Sequence, residues 1–161
     1  MNLVNKGWCI FGPRGSGKSW LLESILDTNE DHIVYDPMED HAGYRQYLPD
    51  DRHSSEELND LIHNVVLETQ PAIFAIDEAN KYIHPKPTRL LTGVADLVDM
   101  GRHHGISFGT VARRPVQFNT DLVELADALF FFGLQGKNDY VYMEDLHRGL
   151  GDAVRGLPRY H

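Results

Sequence analysis

The sequence predicts an α/β fold, a mainly parallel sheet of five core strands with helices on both faces. Three observations predict it. Apolar runs of strand length alternate with segments of helical spacing from residue 7 to about 150, an order that builds parallel strands through crossover helices. One strand-to-helix junction reads Gly12-Pro13-Arg14-Gly15-Ser16-Gly17-Lys18-Ser19, and one buried-type strand ends in Asp77-Glu78.

Taken in order, the first strand is expected over 7–12 and the first helix over 17–27, stopped by the polar run Asp27-Thr28-Asn29-Glu30-Asp31. A second strand over 32–36 is closed by Pro37. Residues 38–52 mix charge with Tyr44, Tyr47 and Leu48 and are expected to be irregular or a short helix. Ser54 or Ser55 can cap the next helix, with Glu56 and Glu57 at its positive end, and Gln70-Pro71 stops it. Five apolar residues, Ala72 to Ile76, form a strand of the kind buried on both faces. After Pro85 and Pro87 a helix is expected over 88–103, then a strand over 106–112 that runs into Arg113-Arg114-Pro115. A short helix follows over 121–126, capped by Asn119 or Thr120. The fifth strand spans 128–134 and a last helix 139–150. Gly149, Gly151 and Gly156 loosen the carboxyl end, with 157–161 expected as an arm or tail.

Gly12 to Ser19 fits G-x-x-x-x-G-K-[ST] at every specified position. Its glycines let backbone N–H groups close around the α- and β-phosphates of a nucleotide. Lys18 then reaches the β- and γ-phosphates and the Ser19 hydroxyl ligates Mg²⁺. The nucleotide cradle is read as Gly12, Pro13, Arg14, Gly15, Ser16, Gly17, Lys18, Ser19 and Trp20. Asp77 and Glu78 stand at the carboxyl end of a strand, where an open α/β sheet places its ligand. Asp77 is the candidate for the Mg²⁺ shell, acting through water, and Glu78 for orienting the water that attacks the γ-phosphate. The domain expectation is a single P-loop ATPase domain over 1–161, with a core over about 7–150 and a C-terminal tail over 151–161.

With 161 residues, 42% hydrophobic and 24% charged, the composition is that of a globular chain able to bury a core. No apolar run reaches the length of a membrane span, and no leader precedes the first strand, so a cytoplasmic protein is expected. The single cysteine, Cys9, excludes an internal disulfide and a cysteine zinc site. Adjacent His103 and His104 lack a third ligand at suitable spacing. The net charge of −9 is polarised. Asp27 to Asp60 holds eleven acidic residues against Arg45 and Arg52, whereas Lys81 to Arg114 holds six basic residues against Asp96 and Asp99. Only the second stretch favours a phosphate backbone.

Asp77-Glu78 resembles the Walker B segment of the additional-strand, catalytic-glutamate branch of P-loop ATPases, in which a further strand lies between the P-loop strand and the Walker B strand. Gly101-Arg102-His103-His104-Gly105-Ile106, the apolar strand after it and Arg114-Pro115 resemble the FtsK/HerA superfamily of DNA-pumping ATPases. Tyr35-Asp36-Pro37 and Asp127 to Phe132 fit the same pattern. The resemblance implies a P-loop NTPase three-layer sandwich and an ATP- and Mg²⁺-dependent motor that moves double-stranded DNA. A bare core of this size is similar to the genome-packaging ATPases of membrane-containing, double-jelly-roll viruses. The resemblance further implies a homo-oligomeric ring, a hexamer by family analogy, working in the host cytoplasm or at a virion vertex beside a portal, capsid or membrane protein, with no membrane insertion of its own.

It also implies a catalytic set of Lys18, Glu78 and Arg102, with Arg102 as an arginine finger lent to the neighbouring subunit; the competing reading of Arg102 is a cation at a helix end. Where the superfamily has a γ-phosphate-sensing Gln, this chain has Arg113; Arg113 and Thr110 are the sensor candidates. Lys81, Lys86 and Arg89 are the candidate DNA contacts, acting on the backbone without reading sequence. Three other classes compete with a viral motor: a cellular or plasmid DNA pump of the same superfamily, a monomeric P-loop kinase for a small molecule or nucleotide with Arg113 and Arg114 as lid residues, and a nucleotide switch that does not hydrolyse.

Overall fold

The computed structural model describes residues 2–157 and builds one sheet of six parallel strands. They are β1 (Gly7–Phe11), β2 (His32–Tyr35), β3 (Gln46–Tyr47), β4 (Ile73–Ile76), β5 (Ser107–Ala112) and β6 (Ala128–Phe131). Their order across the sheet is β3-β2-β4-β5-β1-β6, with every pair parallel. β5 therefore lies between the strand that feeds Gly12 and the strand that feeds Asp77, with Cys9 and Ile76 both in register with Thr110. Since all strands run one way, the segments leaving β1, β2, β4 and β5 emerge along a single edge.

Side chains alternate between two cores, as the pleat requires. Trp8, Ile10, Val34, Ile73, Ala75 and Val111 face α1 (Lys18–Leu26), which buries Leu22, Ile25 and Leu26 against them. Phe11, Tyr35, Phe74, Ile76 and Phe108 face the other way. There they meet α2 (Ser55–Leu61), α4 (Thr92–Met100) and α5 (Thr120–Leu125). Between α2 and the last turn α3 (Leu67–Thr69) the helix widens into a π-helical turn over Ile62–Val66. Two further helices, α6 (Lys137–Leu146) and α7 (Leu150–Arg155), close a small cluster of Leu134, Met143 and Val154.

The sheet differs from the expected one by its sixth strand. β3 lies in the 38–52 stretch read as irregular or helical, and it is too short for a period of two to show. Tertiary partners make it: Val34 N–H donates to Arg45 O at 3.0 Å and Asp36 N–H to Tyr47 O at 3.0 Å. Tyr47 stacks on Tyr35 with ring centroids 5.8 Å apart, and its hydroxyl donates to Glu57.

The helix expected over 88–103 starts only at Thr92, because its cap comes from another helix. Asn59 Oδ1 accepts the Gly93 N–H at 2.8 Å and the Thr92 hydroxyl at 3.1 Å, which leaves 84–89 as an exposed loop. The strand expected over 128–134 stops at Phe131 and is half-buried, as an outer strand with a neighbour on one side only. The last helix of the sequence reading is two helices split at Gly149, whose φ of +86° suits glycine. Residues 151–155 of the expected tail are helical, and 158–161 lie outside the described residues. No helix among the described residues is long and apolar enough to cross a membrane.

Candidate active site

Gly12 to Ser19 turns at the carboxyl end of β1 and opens α1. Gly15 and Gly17 adopt φ of +74° and +97°, the left-handed values that turn successive N–H groups inward. A side chain at Gly12 would meet Ser16 Oγ at 2.6 Å and Phe132 Cβ at 2.8 Å, whereas the space above Gly15 is open. Ser16 Oγ is buried and has no hydrogen-bond partner. These are the features of an anion cradle: a close-packed floor, inward N–H groups and an open mouth. Lys18 Nζ donates to Pro13 O across the loop at 2.9 Å. Burial lowers the Lys18 pKa below its ordinary value, Asp77 and Glu78 oppose that shift, and Arg113 adds to it. The Walker carboxylates and Arg113 are thus near enough to act on the P-loop lysine. Trp20, in the first turn of α1, is 71% exposed.

Asp77 and Glu78 leave β4 side by side in sequence but in different environments. Asp77 is 6% exposed; its Oδ1 accepts the Glu78 N–H at 2.8 Å and its Oδ2 faces His41 Nε2 at 3.3 Å. Glu78 adopts the left-handed region, with φ of +47°. Its Oε1 accepts from Arg113, at 3.1 Å to Nη2 and 3.4 Å to Nε, and its Oε2 is buried without a partner. Arg113 follows β5, so its guanidinium lies over the sheet edge between the P-loop strand and the Walker B strand.

His41 is a site residue that the sequence reading did not find. It sits in the loop after β2, 1% exposed, with Nδ1 3.1 Å from Glu23 Oε1 and Nε2 3.3 Å from Asp77 Oδ2. Burial alone would lower its pKa, but the carboxylates of Asp77, Asp36 and Glu23 outweigh burial and raise it to about 8. A lone histidine in a charged, aperiodic stretch carries no local signal. The nearest legible sign was Asp36 at the end of the second strand. Asp36 is fully buried, and its carboxylate accepts the N–H groups of Met38 and His41.

The remaining predicted residues lie elsewhere. Thr110 is buried inside β5 and donates its hydroxyl to Cys9 Sγ at 3.2 Å, so it points into the core and not at the phosphate edge. Arg102 precedes β5 and pairs with Asp127 Oδ1 at 2.6 Å, while Asp127 Oδ2 accepts the N–H of Gly7 at the start of β1. It therefore stands at the amino edge of the sheet, opposite the P-loop. Arg114 is drawn away from the site into an ion pair with buried Asp139 at 2.9 Å. Lys81 follows Glu78 in a single 3-10 turn, Lys86 pairs with Asp121 at 2.6 Å, and Arg89 is exposed in the 84–89 loop.

Comparison with known proteins identifies the family and the fold. The AAA domain family matches residues 4–122, whereas a sequence comparison with curated proteins gives no match. The fold is similar to that of the genome-packaging NTPase B204 of Sulfolobus turreted icosahedral virus 2 in complex with ATPγS. The TM-score is 0.83 at 16% identity, over 100% of this chain and 91% of that one. It is also similar to the cytoplasmic domain of EssC, with a TM-score of 0.63 at 18% identity over 86% of this chain and 33% of that one. The N-terminal domain of zonular occludens toxin from Neisseria meningitidis follows, with a TM-score of 0.56 at 16% identity over 83% and 78%. At these identities the likeness is one of fold. The architecture is the P-loop NTPase sandwich with its additional strand in place, built on six strands where five were expected.

Proposed function

This chain belongs to the AAA domain family, and from that footing we propose that it is an ATP-hydrolysing motor that translocates double-stranded DNA, acting as a ring oligomer in viral genome packaging. One observation carries the reading: Lys18, Asp77, Glu78 and Arg113 meet at the carboxyl edge of the sheet, although three different strands deliver them. The genome-packaging NTPase B204, whose fold this chain shares, was solved with ATPγS, AMP and AMPPCP, which supports ATP as the nucleotide. The B204 of Sulfolobus turreted icosahedral virus is described as a DNA-packaging ATPase, which supports DNA as the cargo.

The P-loop N–H groups and Lys18 hold the phosphates. Ser19, exposed at the mouth of the cradle, and Asp77, whose oxygens each keep a free lone pair, would hold Mg²⁺, Asp77 through water. Held by Ser19 and Asp77, such an ion would supply neutralisation of phosphate charge. Glu78 accepts a hydrogen bond from the attacking water and orients it in line with the γ-phosphorus. Arg113 takes the sensor role, and Thr110, with its hydroxyl committed to Cys9, leaves it. A γ-phosphate competes with Glu78 for the Arg113 guanidinium, so arrival of ATP both engages the sensor and frees the carboxylate. Arg102 cannot serve its own P-loop from the opposite sheet edge. It acts as a finger on a neighbouring copy, where stabilising the developing charge is worth about 10³–10⁵ in rate. Ring assembly, with a hexamer as the family analogy, follows from that requirement. Lys81, Lys86 and Arg89, on the turn and exposed loop after Glu78, grip the DNA backbone.

The test is the ATPase rate with and without double-stranded DNA, measured with the solution mass. DNA-stimulated turnover by a multi-subunit species is expected. Turnover by a monomer that needs a small phosphate acceptor, or nucleotide binding with no turnover on DNA, overturns the proposal.

A further inference from the structure

The loop after β2 contributes a residue to the site that neither Walker motif contains. His41 lies between Asp77 and Glu23 with each ring nitrogen facing a carboxylate oxygen, at 3.3 Å and 3.1 Å. Glu23 belongs to α1 and stands four residues after Ser19, so the two occupy one face of that helix a turn apart. A single buried ring therefore connects the strand end that bears one expected Mg²⁺ group to the helix that bears the other. The main chain of His41 is itself held: Asp36 Oδ2 accepts its N–H at 2.8 Å, and the Gln46 amide, oriented to donate, reaches His41 O at 3.0 Å.

We infer that His41 is a positioning residue for the magnesium site, strapping Asp77 to the helix that carries Ser19 so that the two keep one separation. The inference rests on the function proposed above. Its physical basis is the contrast between the forces on α1 and the demands of the ion. Apart from its covalent tie to β1 through the 12–17 turn, α1 meets the sheet through Leu22, Ile25 and Leu26, and non-directional apolar packing aims the polar side chain of Ser19 less closely than a hydrogen-bonded contact does. Mg²⁺ requires near-ideal octahedral geometry, so a small slip between Ser19 and Asp77 weakens the site. A purely structural His41 would affect stability and nucleotide binding alike. A strap would affect the metal-dependent part alone.

The experiment measures ATPγS affinity by calorimetry in Mg²⁺ and in EDTA for the wild type, His41→Gln and Glu23→Gln, with Mn²⁺ binding followed by electron paramagnetic resonance. His41→Gln should leave the affinity in EDTA unchanged while the Mg²⁺-dependent gain and the Mn²⁺ affinity fall about 10- to 100-fold, the usual cost of losing an outer-shell partner of a metal ligand. Glu23→Gln, at a half-buried position that keeps the shape of the side chain, should show a smaller loss of the same kind. The inference is overturned if folded His41→Gln keeps the full Mg²⁺ gain, or if its affinity in EDTA falls by as much as its affinity in Mg²⁺. Should His41→Gln fail to fold, unchanged Mg²⁺ dependence in Glu23→Gln overturns it. A wild type whose nucleotide binding ignores Mg²⁺ removes the functional reading as well, whereas a Mg²⁺-dependent wild type with unaffected variants removes only the strap.

Discussion

Replacing Glu78 by Gln should raise the preference for ATPγS over ADP, because Arg113 then has no carboxylate to leave when a γ-phosphate arrives. The size follows from the pair. Arg113 gives two N–H groups to one oxygen, at 3.1 Å and 3.4 Å, but its side chain is 52% exposed while that of Glu78 is 18% exposed. A charged hydrogen bond in a partly buried site contributes about 1.5–3 kcal/mol and an exposed ion pair about 0–1 kcal/mol. This pair lies between them and, discounted for solvent, is worth about 1 kcal/mol, or about a fivefold change in selectivity. The assay is the ratio of ATPγS to ADP affinity in the wild type, Glu78→Gln, Arg113→Gln and the double variant. The fivefold gain should be present with Arg113 and absent in the Arg113→Gln background. An equal gain in both backgrounds would refute the reasoning, since it would mean that Glu78 merely repels the γ-phosphate.

Arg102→Ala subunits, inactive alone, should recover ATPase activity when mixed with inactive Lys18→Ala subunits, because each then supplies what the other lacks; no recovery at any mixing ratio contradicts a finger acting between copies. Arg114→Met should cost about 2–3 kcal/mol in urea unfolding, below the full cost of breaking a buried pair because Arg114 is 39% exposed while Asp139 is 1% exposed. Adding Asp139→Asn should recover part of that loss, and a single-variant cost no larger than that of a surface pair would show that the contact is not structural. Burial raises the Cys9 pKa from 9.0 to about 12, so a thiol reagent at pH 8 should label it only after unfolding. The folded chain holds that proton more tightly than the unfolded one, so the Cys9 contribution to stability is intact below pH 9.0 and declines as pH rises toward about 12. Cys9→Ala should flatten the fall across that window, and an unchanged slope would refute the assignment.

How far the sequence could be read depends on the range of the interactions that make each feature. The phosphate loop was legible residue by residue because its conformation is local: glycines at φ of +74° and +97°, then a lysine and a serine opening a helix. The core strands were legible because burial on both faces leaves uninterrupted apolar runs such as Ile73–Ile76. The start of α4 was not, since its cap is Asn59, 33 residues back along the chain from Thr92. β3 was missed for the same reason; two residues carry no period, and only backbone bonds to β2 define them.

The candidate site divides along the same line. From sequence alone came the candidate cradle over 12–20, the pair Asp77-Glu78 and the chemistry each residue type can perform, since these are properties of short segments and of their side chains. Tertiary structure decided which of them meet. Placing β5 between β1 and β4 brings Arg113 onto Glu78 and turns Thr110 inward to Cys9, and pairing β2 with β4 sets His41 between Asp77 and Glu23. It also puts Arg102 on the sheet edge away from the P-loop. Those relations join residues 18 to 101 positions apart. Such contacts exist only once the parallel sheet has ordered its strands, so no local pattern of residues can encode them.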